Sequence, residues 1–280
     1  MQIEFHRLES LGWRLPKLNS LGLFESSQID ESKISFPSEN YDSDVVNAEA
    51  LGFWAVKRAQ LIAEMLNPKI HKTLWEVGAG NGNAAIPLRD LGLNVITIEP
   101  LLSGAVTLQK NGFATFHSTL EGLNLPSDSL SAIGAFDVLE HLENPQELLS
   151  EIYRVLKPGG VFICSVPAYQ WLFSDFDASI GHYRRYSRKL LESTLNQGGF
   201  RVITTKHLYG FLVPIAFVLR RVLPIVFGRI KKDGKRRTGG ANSKNLNRLS
   251  YVFGIFVSLE KIIGIKLGLS LFSIGEKQVS

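Results

Sequence analysis

Short apolar runs and helix-like stretches alternate without a break between Thr73 and Leu208, and no other feature limits the fold so tightly. Residues 73–77, 94–98, 114–117, 130–136, 161–166 and 201–208 read as strands. Between them, one helix starts near Asn83, tolerates Pro87 in its first turn and stops at Gly92. Residues 101–112 read as a second helix, closed by Asn111-Gly112. The strongest signals mark a third. Asn144 is its N-cap, Pro145 takes the first helical position, Glu147 completes a capping-box spacing, and Lys157-Pro158-Gly159-Gly160 ends it. Residues 187–197 form the last helix of the series, stopped by Gly198-Gly199. Alternation at this spacing predicts an α/β sandwich of three layers, a mostly parallel sheet covered on both faces. Ligands of such sheets bind outside the carboxyl ends of the strands.

At 280 residues the chain has room for one substantial core and an additional element. Its 45% hydrophobic and 20% charged residues are those of a folded protein rather than a disordered one. Residues 1–46 are mixed and turn-rich, expected to form an arm or lid. The core domain is expected over 47–208, entered by a helical stripe of Phe53, Trp54, Ile62, Met65 and Leu66 that Asn67-Pro68 stops. The single cysteine, Cys164, excludes an internal disulfide and a cysteine-rich metal site, and no metal ligand set is singled out. It reads as a buried small hydrophobe in a reducing, cytoplasmic setting. The chain does not begin with a basic region followed by an apolar stretch, so no secretory leader is expected. Net charge is +5, and most of the excess sits in Lys231-Lys232-Asp233-Gly234-Lys235-Arg236-Arg237. So local an excess is not the spread-out basic face that nucleic acid requires.

The first strand runs into Gly78-Ala79-Gly80-Asn81-Gly82, with Glu76 two residues ahead of the glycines. Glycine serves where the backbone takes positive φ and comes close to a ligand. Free N–H groups at the following helix start favour an anionic group. The G-x-G-x-G spacing differs from the G-x-G-x-x-G of dinucleotide binders, and Glu99, ending the second strand, is placed to accept both hydroxyls of a ribose. A nicotinamide-type oxidoreductase and a catalytically silent binding module stay open as alternatives.

Residues 74–85, Glu99, Phe136-Asp137-Val138-Leu139-Glu140-His141 and Arg154-Val155-Leu156-Lys157-Pro158-Gly159-Gly160 together resemble the class I S-adenosylmethionine-dependent methyltransferases, near the ubiquinone- and menaquinone-biosynthesis group. The likeness covers about residues 72–208. It implies a Rossmann-like seven-stranded sheet whose last strand is antiparallel, supplied by 269–277 within a final segment 269–280, with 209–268 inserted before it. It also implies the cofactor, S-adenosylmethionine. Glu76, Gly78, Ala79, Gly80 and Gly82 would hold its methionine end, and Glu99 with Pro100 its ribose. Ser118, Thr119 and Leu120 would meet the adenine, Ser118 standing where the family usually carries an acid. Asp137 would lie beside the sulfonium and the methionyl amine.

Methyl transfer is an in-line displacement, helped by alignment of donor and acceptor, and needs a general base when the acceptor is a hydroxyl. Glu140-His141, just beyond the fourth strand, is one source of a base; a structural role in the following loop is the competing reading. The other source is the loop Gly181-His182-Tyr183-Arg184-Arg185-Tyr186, with His182 as the candidate base. Arginines bind anions bidentately, and tyrosines stack or orient a hydroxyl. Tyr183, Arg184, Arg185 and Tyr186, with Tyr169 from an upstream aromatic cluster, are therefore expected to recognise an anionic acceptor.

Residues 209–268 leave the sheet pattern. Residues 209–219 and 222–227 are apolar, but Arg220-Arg221, Pro214 and Pro224 argue against a span of about 20 apolar residues. An interfacial helical hairpin, held to anionic headgroups by 231–237, is the expected alternative to internal packing or a homodimer contact. A further apolar helix is expected over 249–265. Because the sixth strand ends on the ligand-binding edge, the insertion should wall the acceptor site. The expectation is O-methylation of a small anionic or lipid-linked acceptor by a cytoplasmic protein that contacts the inner membrane face through 209–237, with no nucleic-acid partner.

Overall fold

A computed structural model of the chain describes residues 2–26, 29, 34–36, 52–66, 71, 73–218, 220 and 267–279. Its elements in chain order begin with α1 (Gln2–Ser10), β1 (Phe24–Glu25), α2 (Gly52–Met65), β2 (Thr73–Val77), α3 (Ala85–Asp90) and β3 (Asn94–Glu99). There follow α4 (Leu102–Lys110), β4 (Ala114–His117), β5 (Leu130–Phe136), α5 (Pro145–Val155), β6 (Leu156–Pro167) and α6 (Asp175–Ser179). The last are α7 (Arg188–Gln197), β7 (Arg201–Leu208), α8 (Val213–Phe217) and β8 (Ser270–Glu276). The strands form one sheet in the order β1-β4-β3-β2-β5-β6-β8-β7.

Strands β1 to β6 pair in parallel, while β8 runs antiparallel between β6 and β7. The seven expected strands are thus present with the expected antiparallel last strand. An eighth, the two-residue β1, extends the edge beside β4. The chain moves outward from β2 through β3 to β4, then returns to place β5 on the other side of β2. That reversal opens a crevice at the carboxyl ends of β2 and β5, where open α/β sheets bind ligands.

Burial explains the strand boundaries. Every residue of β2 and β4 is buried, as strands covered on both faces require. Helix α5 buries Pro145, Leu148, Leu149, Ile152 and Val155 on one face, and Asn144 accepts from the Gln146 N–H at 3.3 Å. Its end differs from the expected loop. Pro158 disfavours helical backbone at Lys157, and the chain passes from Val155 directly into β6, five residues ahead of the expected start. Gly159 N–H donates to Lys277 O at 2.8 Å, so this segment continues the pairing with the end of the chain.

Near its start the chain packs into the core. Phe5, Leu8 and Trp13 are buried against Trp75 and Phe116, and Trp13 Nε1 donates to Leu123 O at 2.8 Å. Fully burying side chains such as Phe116 is worth roughly 1.5–3 kcal/mol each, ample reason for α1 to dock. The apolar run 222–227, the basic run 231–237 and the helix expected over 249–265 lie outside the described residues. Among the described residues, no helix is long and apolar enough to cross a membrane.

Candidate active site

A cavity of about 900 Å³ opens at the carboxyl ends of β2, β3, β4 and β5. This is toward the upper end of the range for small-molecule sites. Its first wall is the turn after β2. Gly78, Gly80 and Gly82 all have positive φ, and a Cβ on Gly78 would lie 2.8 Å from a Val138 methyl. Glu99, nearly fully buried, braces the turn. Its Oε2 accepts from Gly80 N–H at 2.7 Å and its Oε1 from Leu101 N–H at 2.9 Å. Each oxygen keeps lone-pair capacity for a ribose hydroxyl.

Glu76 is also nearly fully buried, and its Oε2 has no hydrogen-bond partner. Burial raises its pKa to about 8; Arg58 opposes the rise and Glu99 adds to it. An orphaned carboxyl oxygen beside a glycine cradle fits the amino-acid end of S-adenosylmethionine. Ala79, Pro100, Ser118, Thr119, Leu120 and Asp137 line the same cavity. Gly82 does not; it closes the turn, donating to Ala79 O at 2.9 Å. Beyond β4, Ser118 is fully buried, pairs with Ser26 and donates to Thr119 O at 2.8 Å. Glu121 lines the cavity as well.

Asp137 follows β5 with φ of +59°, in the left-handed region that a non-glycine residue rarely adopts. Backbone held this way clusters at functional sites. Buried Arg58 of α2 donates to Asp137 Oδ2, and Ser165 Oγ donates to Oδ1 at 3.2 Å. Sequence reasoning missed Arg58. The signal was a cation on an apolar stripe, since Ala55, Ala59 and Ile62 bury the same helix face.

Past Asp137, Glu140, His141 and His182 converge, and each lines the cavity. Glu140 is fully buried with neither carboxyl oxygen hydrogen-bonded, and His141 Nδ1 is likewise buried and unpartnered. Burial first, then the nearby charge of Asp137, holds the Glu140 pKa well above the carboxylate range. Burial, with the neighbouring His182, pushes His141 down to about 3. The two imidazoles meet edge to face, with centroids 4.5 Å apart.

His182 Nε2 lies 4.0 Å from Glu140 Oε1, and its Nδ1 lies 3.3 Å from Asp177 Oδ1. Asp177 is fully buried, and sequence reasoning missed it too. Arg185 donates to its Oδ1 from Nε at 2.9 Å and also from Nη2, while Arg220 donates to its Oδ2. Burial alone would raise the Asp177 pKa. The close approach of His182, the hydrogen bonds from Arg185 and the charges of Arg185 and Arg220 outweigh it and hold the group well below the carboxylate range. The available signal was Ser174-x-x-Asp177, a capping-box spacing that α6 realises. Arg220, expected only as an interruption of an apolar run, lines the cavity together with Ala216.

The rest of the loop takes other positions. Arg185 lines the cavity, but Tyr169, Tyr183, Arg184 and Tyr186 do not. Tyr186 is buried and donates its hydroxyl to Leu139 O at 3.2 Å. Arg184 donates to Glu143 O at 2.7 Å, and Tyr183 is exposed. Tyr169 stacks on His207, its hydroxyl accepting from Gly268 N–H at 3.3 Å. Those that bond do so to the frame around the cavity, tying this loop to the 3-10 turn at residues 139–141 and to the chain entering β8.

Residues 52–205 match the profile of a family described as methyltransferase domain. The chain is 27% identical over 157 residues to a Mycolicibacterium smegmatis protein described as a probable S-adenosylmethionine-dependent methyltransferase, covering 55% of this chain and 61% of that protein. It is 30% identical over 142 residues to an uncharacterized methyltransferase of Mycobacterium tuberculosis, covering 46% and 55% respectively. The chain therefore spans between half and two thirds of the length of these curated relatives. Among solved structures, a methyltransferase in complex with the Trm112 activator of Haloferax volcanii superposes with a TM-score of 0.57 at 16% identity, covering 87% of this chain and 98% of that one. An S-adenosylmethionine-dependent methyltransferase of Thermotoga maritima superposes at 0.53 with 17% identity, covering 86% and 95%. At such identities the likeness speaks for the fold.

Proposed function

The chain belongs to the methyltransferase domain family; from that premise we propose that it is an S-adenosylmethionine-dependent methyltransferase and that it methylates an oxygen of an anionic or lipid-linked small molecule. The observation that carries this reading is the charge of the acceptor end. Two guanidiniums, Arg185 and Arg220, share the single carboxylate of Asp177 beside the cavity, which leaves one positive charge unmatched within that group. An anionic group on the acceptor would balance it. Phe36, Phe176, Ile180 and Leu269 line the cavity as well and give it an apolar side suited to a greasy acceptor.

The residues divide the task as follows. Glu76 pairs with the methionyl ammonium, Glu99 holds the ribose, and Asp137 sits beside the sulfonium. Glu140, His141 and His182 face the acceptor hydroxyl. Its O–H bond breaks with the proton passing to this cluster, the oxygen forms a bond to the methyl carbon, and the carbon–sulfur bond of the donor breaks to leave a thioether. The basic run 231–237 draws the protein to anionic membrane, where a lipid-linked acceptor reaches the cavity past Ala216 and Arg220.

The test uses methyl-labelled S-adenosylmethionine with a lipid and metabolite extract separated by charge. Label is expected in the anionic fraction, and Arg220→Gln should reduce it by raising KM. Label confined to neutral or cationic products would overturn the reading. Sedimentation with anionic vesicles, weakened by salt, is expected of the full chain; no binding at low salt would remove the membrane part.

A further inference from the structure

Glu140 presents a chemical problem that methyl transfer alone does not solve. A carboxyl group with no exposure and no hydrogen bond to either oxygen is costly to keep, and polar groups so buried ordinarily have partners. The unpartnered Nδ1 of His141 lies in the same cluster. His182 turns Nε2 toward Glu140 and Nδ1 toward Asp177. We propose that Glu140, His141 and His182 bind one divalent transition-metal ion at the acceptor end of the cavity.

The geometry supports this at three levels. One donor atom from each of the three side chains lies within 4.8 Å of the other two. Bonds of about 2.0–2.2 Å from nitrogen and oxygen draw such donors together by roughly 1 Å, a shift that side-chain rotation supplies. The second level is the support around the ligands. A metal-bound histidine usually gives its other ring nitrogen to a carboxylate, which sets the tautomer and aims the ring. Asp177 occupies that position for His182, and Arg185 and Arg220 in turn hold Asp177. The third level is the open coordination position. The three ligands line the cavity, so the fourth position faces space that a water or an acceptor oxygen can fill.

Two imidazoles and one carboxylate favour ions such as Zn²⁺, Co²⁺ or Mn²⁺ over Mg²⁺ and Ca²⁺, which prefer all-oxygen sites. For its task, though not for its existence, the ion rests on the acceptor reading above. With the ion bound, the cluster's donor atoms are ligated, and the acceptor hydroxyl held by the ion would lose its proton to solvent instead of to the cluster.

The test is a titration of chelator-treated full-length protein with Co²⁺, followed by visible absorption, and with Zn²⁺ by calorimetry, both without acceptor. One ion per chain is expected, with a Co²⁺ spectrum of a low-coordinate site containing nitrogen donors. Glu140→Gln and His182→Ala should each weaken binding at least 100-fold while S-adenosylmethionine affinity changes less than threefold. No stoichiometric ion in the wild-type protein, or an affinity unchanged in both variants, would overturn the proposal. If neither variant folds, the wild-type Co²⁺ spectrum decides alone: a nitrogen-donor band at one equivalent supports the site and its absence overturns it. Because no acceptor is present, failure here is distinct from failure of the O-methylation reading, which the product's charge and linkage decide.

Discussion

Binding of S-adenosylmethionine is expected to expel a proton from Glu76. In the free protein the buried carboxyl has a pKa of about 8, so at pH 6.5 it is almost fully protonated. The ligand's amine, with an ordinary value of about 7.7–8.0, is protonated at the same pH. A Glu76–ammonium pair therefore forms only as Glu76 gives up its proton, close to one per ligand bound. Between pH 5.5 and 6.5 the affinity should rise about tenfold, or about 1.4 kcal/mol, because each unit lowers the cost of ionising Glu76 by that amount. Calorimetry in buffers of different ionisation heat reads the proton count directly as a slope. Glu76→Gln should abolish both the slope and the pH dependence. A wild-type slope near zero, or one unchanged by Glu76→Gln, would refute the assignment of Glu76 to the ammonium.

The same group makes the free protein sensitive to pH. Its folded pKa is raised, so its stabilising contribution is fully present below the unfolded value near 4.5 and is lost as pH climbs to about 8. Thermal melts should show stability falling over that window by up to roughly 1.4 kcal/mol per unit, and Glu76→Gln should flatten the fall; equal slopes would contradict it. Asp177→Ala would strand the buried Arg185 guanidinium and is expected to cost about 3–5 kcal/mol in urea unfolding. A cost below about 1 kcal/mol would mean that Arg185 finds another partner. Gly78→Ala places a side chain at φ of +67° against Val138 and should cost about 1–2 kcal/mol, with weakened cofactor binding; unchanged binding would remove the turn from the site.

Much of this arrangement is legible in the residue order, for physical reasons. Strands β2, β4, β5 and β7 stand where local patterning puts them, because a strand buried on both faces is a short apolar run between turn residues. Glycines and acids that follow those strands line one cavity because residues at the carboxyl ends of neighbouring strands share an edge, so position along the chain and position in the cavity coincide. The acceptor end depends on residues brought together from afar. Asp177 has meaning only with Arg220 beside it, and Arg58 only with Asp137, pairings that no local pattern encodes. Composition also misleads there. The histidine, tyrosine and arginine loop reads as a pocket lining, yet Tyr186 and Arg184 spend their polar groups on backbone carbonyls. Helix α1 escapes notice because it sends Phe5 and Leu8 inward from an otherwise polar stretch.

In the proposed reaction a methyl group leaves S-adenosylmethionine for an oxygen held at Glu140, His141 and His182. The most direct measurement is carbon NMR of the product formed with ¹³C-methyl S-adenosylmethionine, alongside the same reaction with His182→Ala. The expected result is a methyl resonance on oxygen in an anionic product, absent with His182→Ala although that variant still binds the cofactor. A methyl on nitrogen or carbon, or undiminished product from His182→Ala, would contradict it.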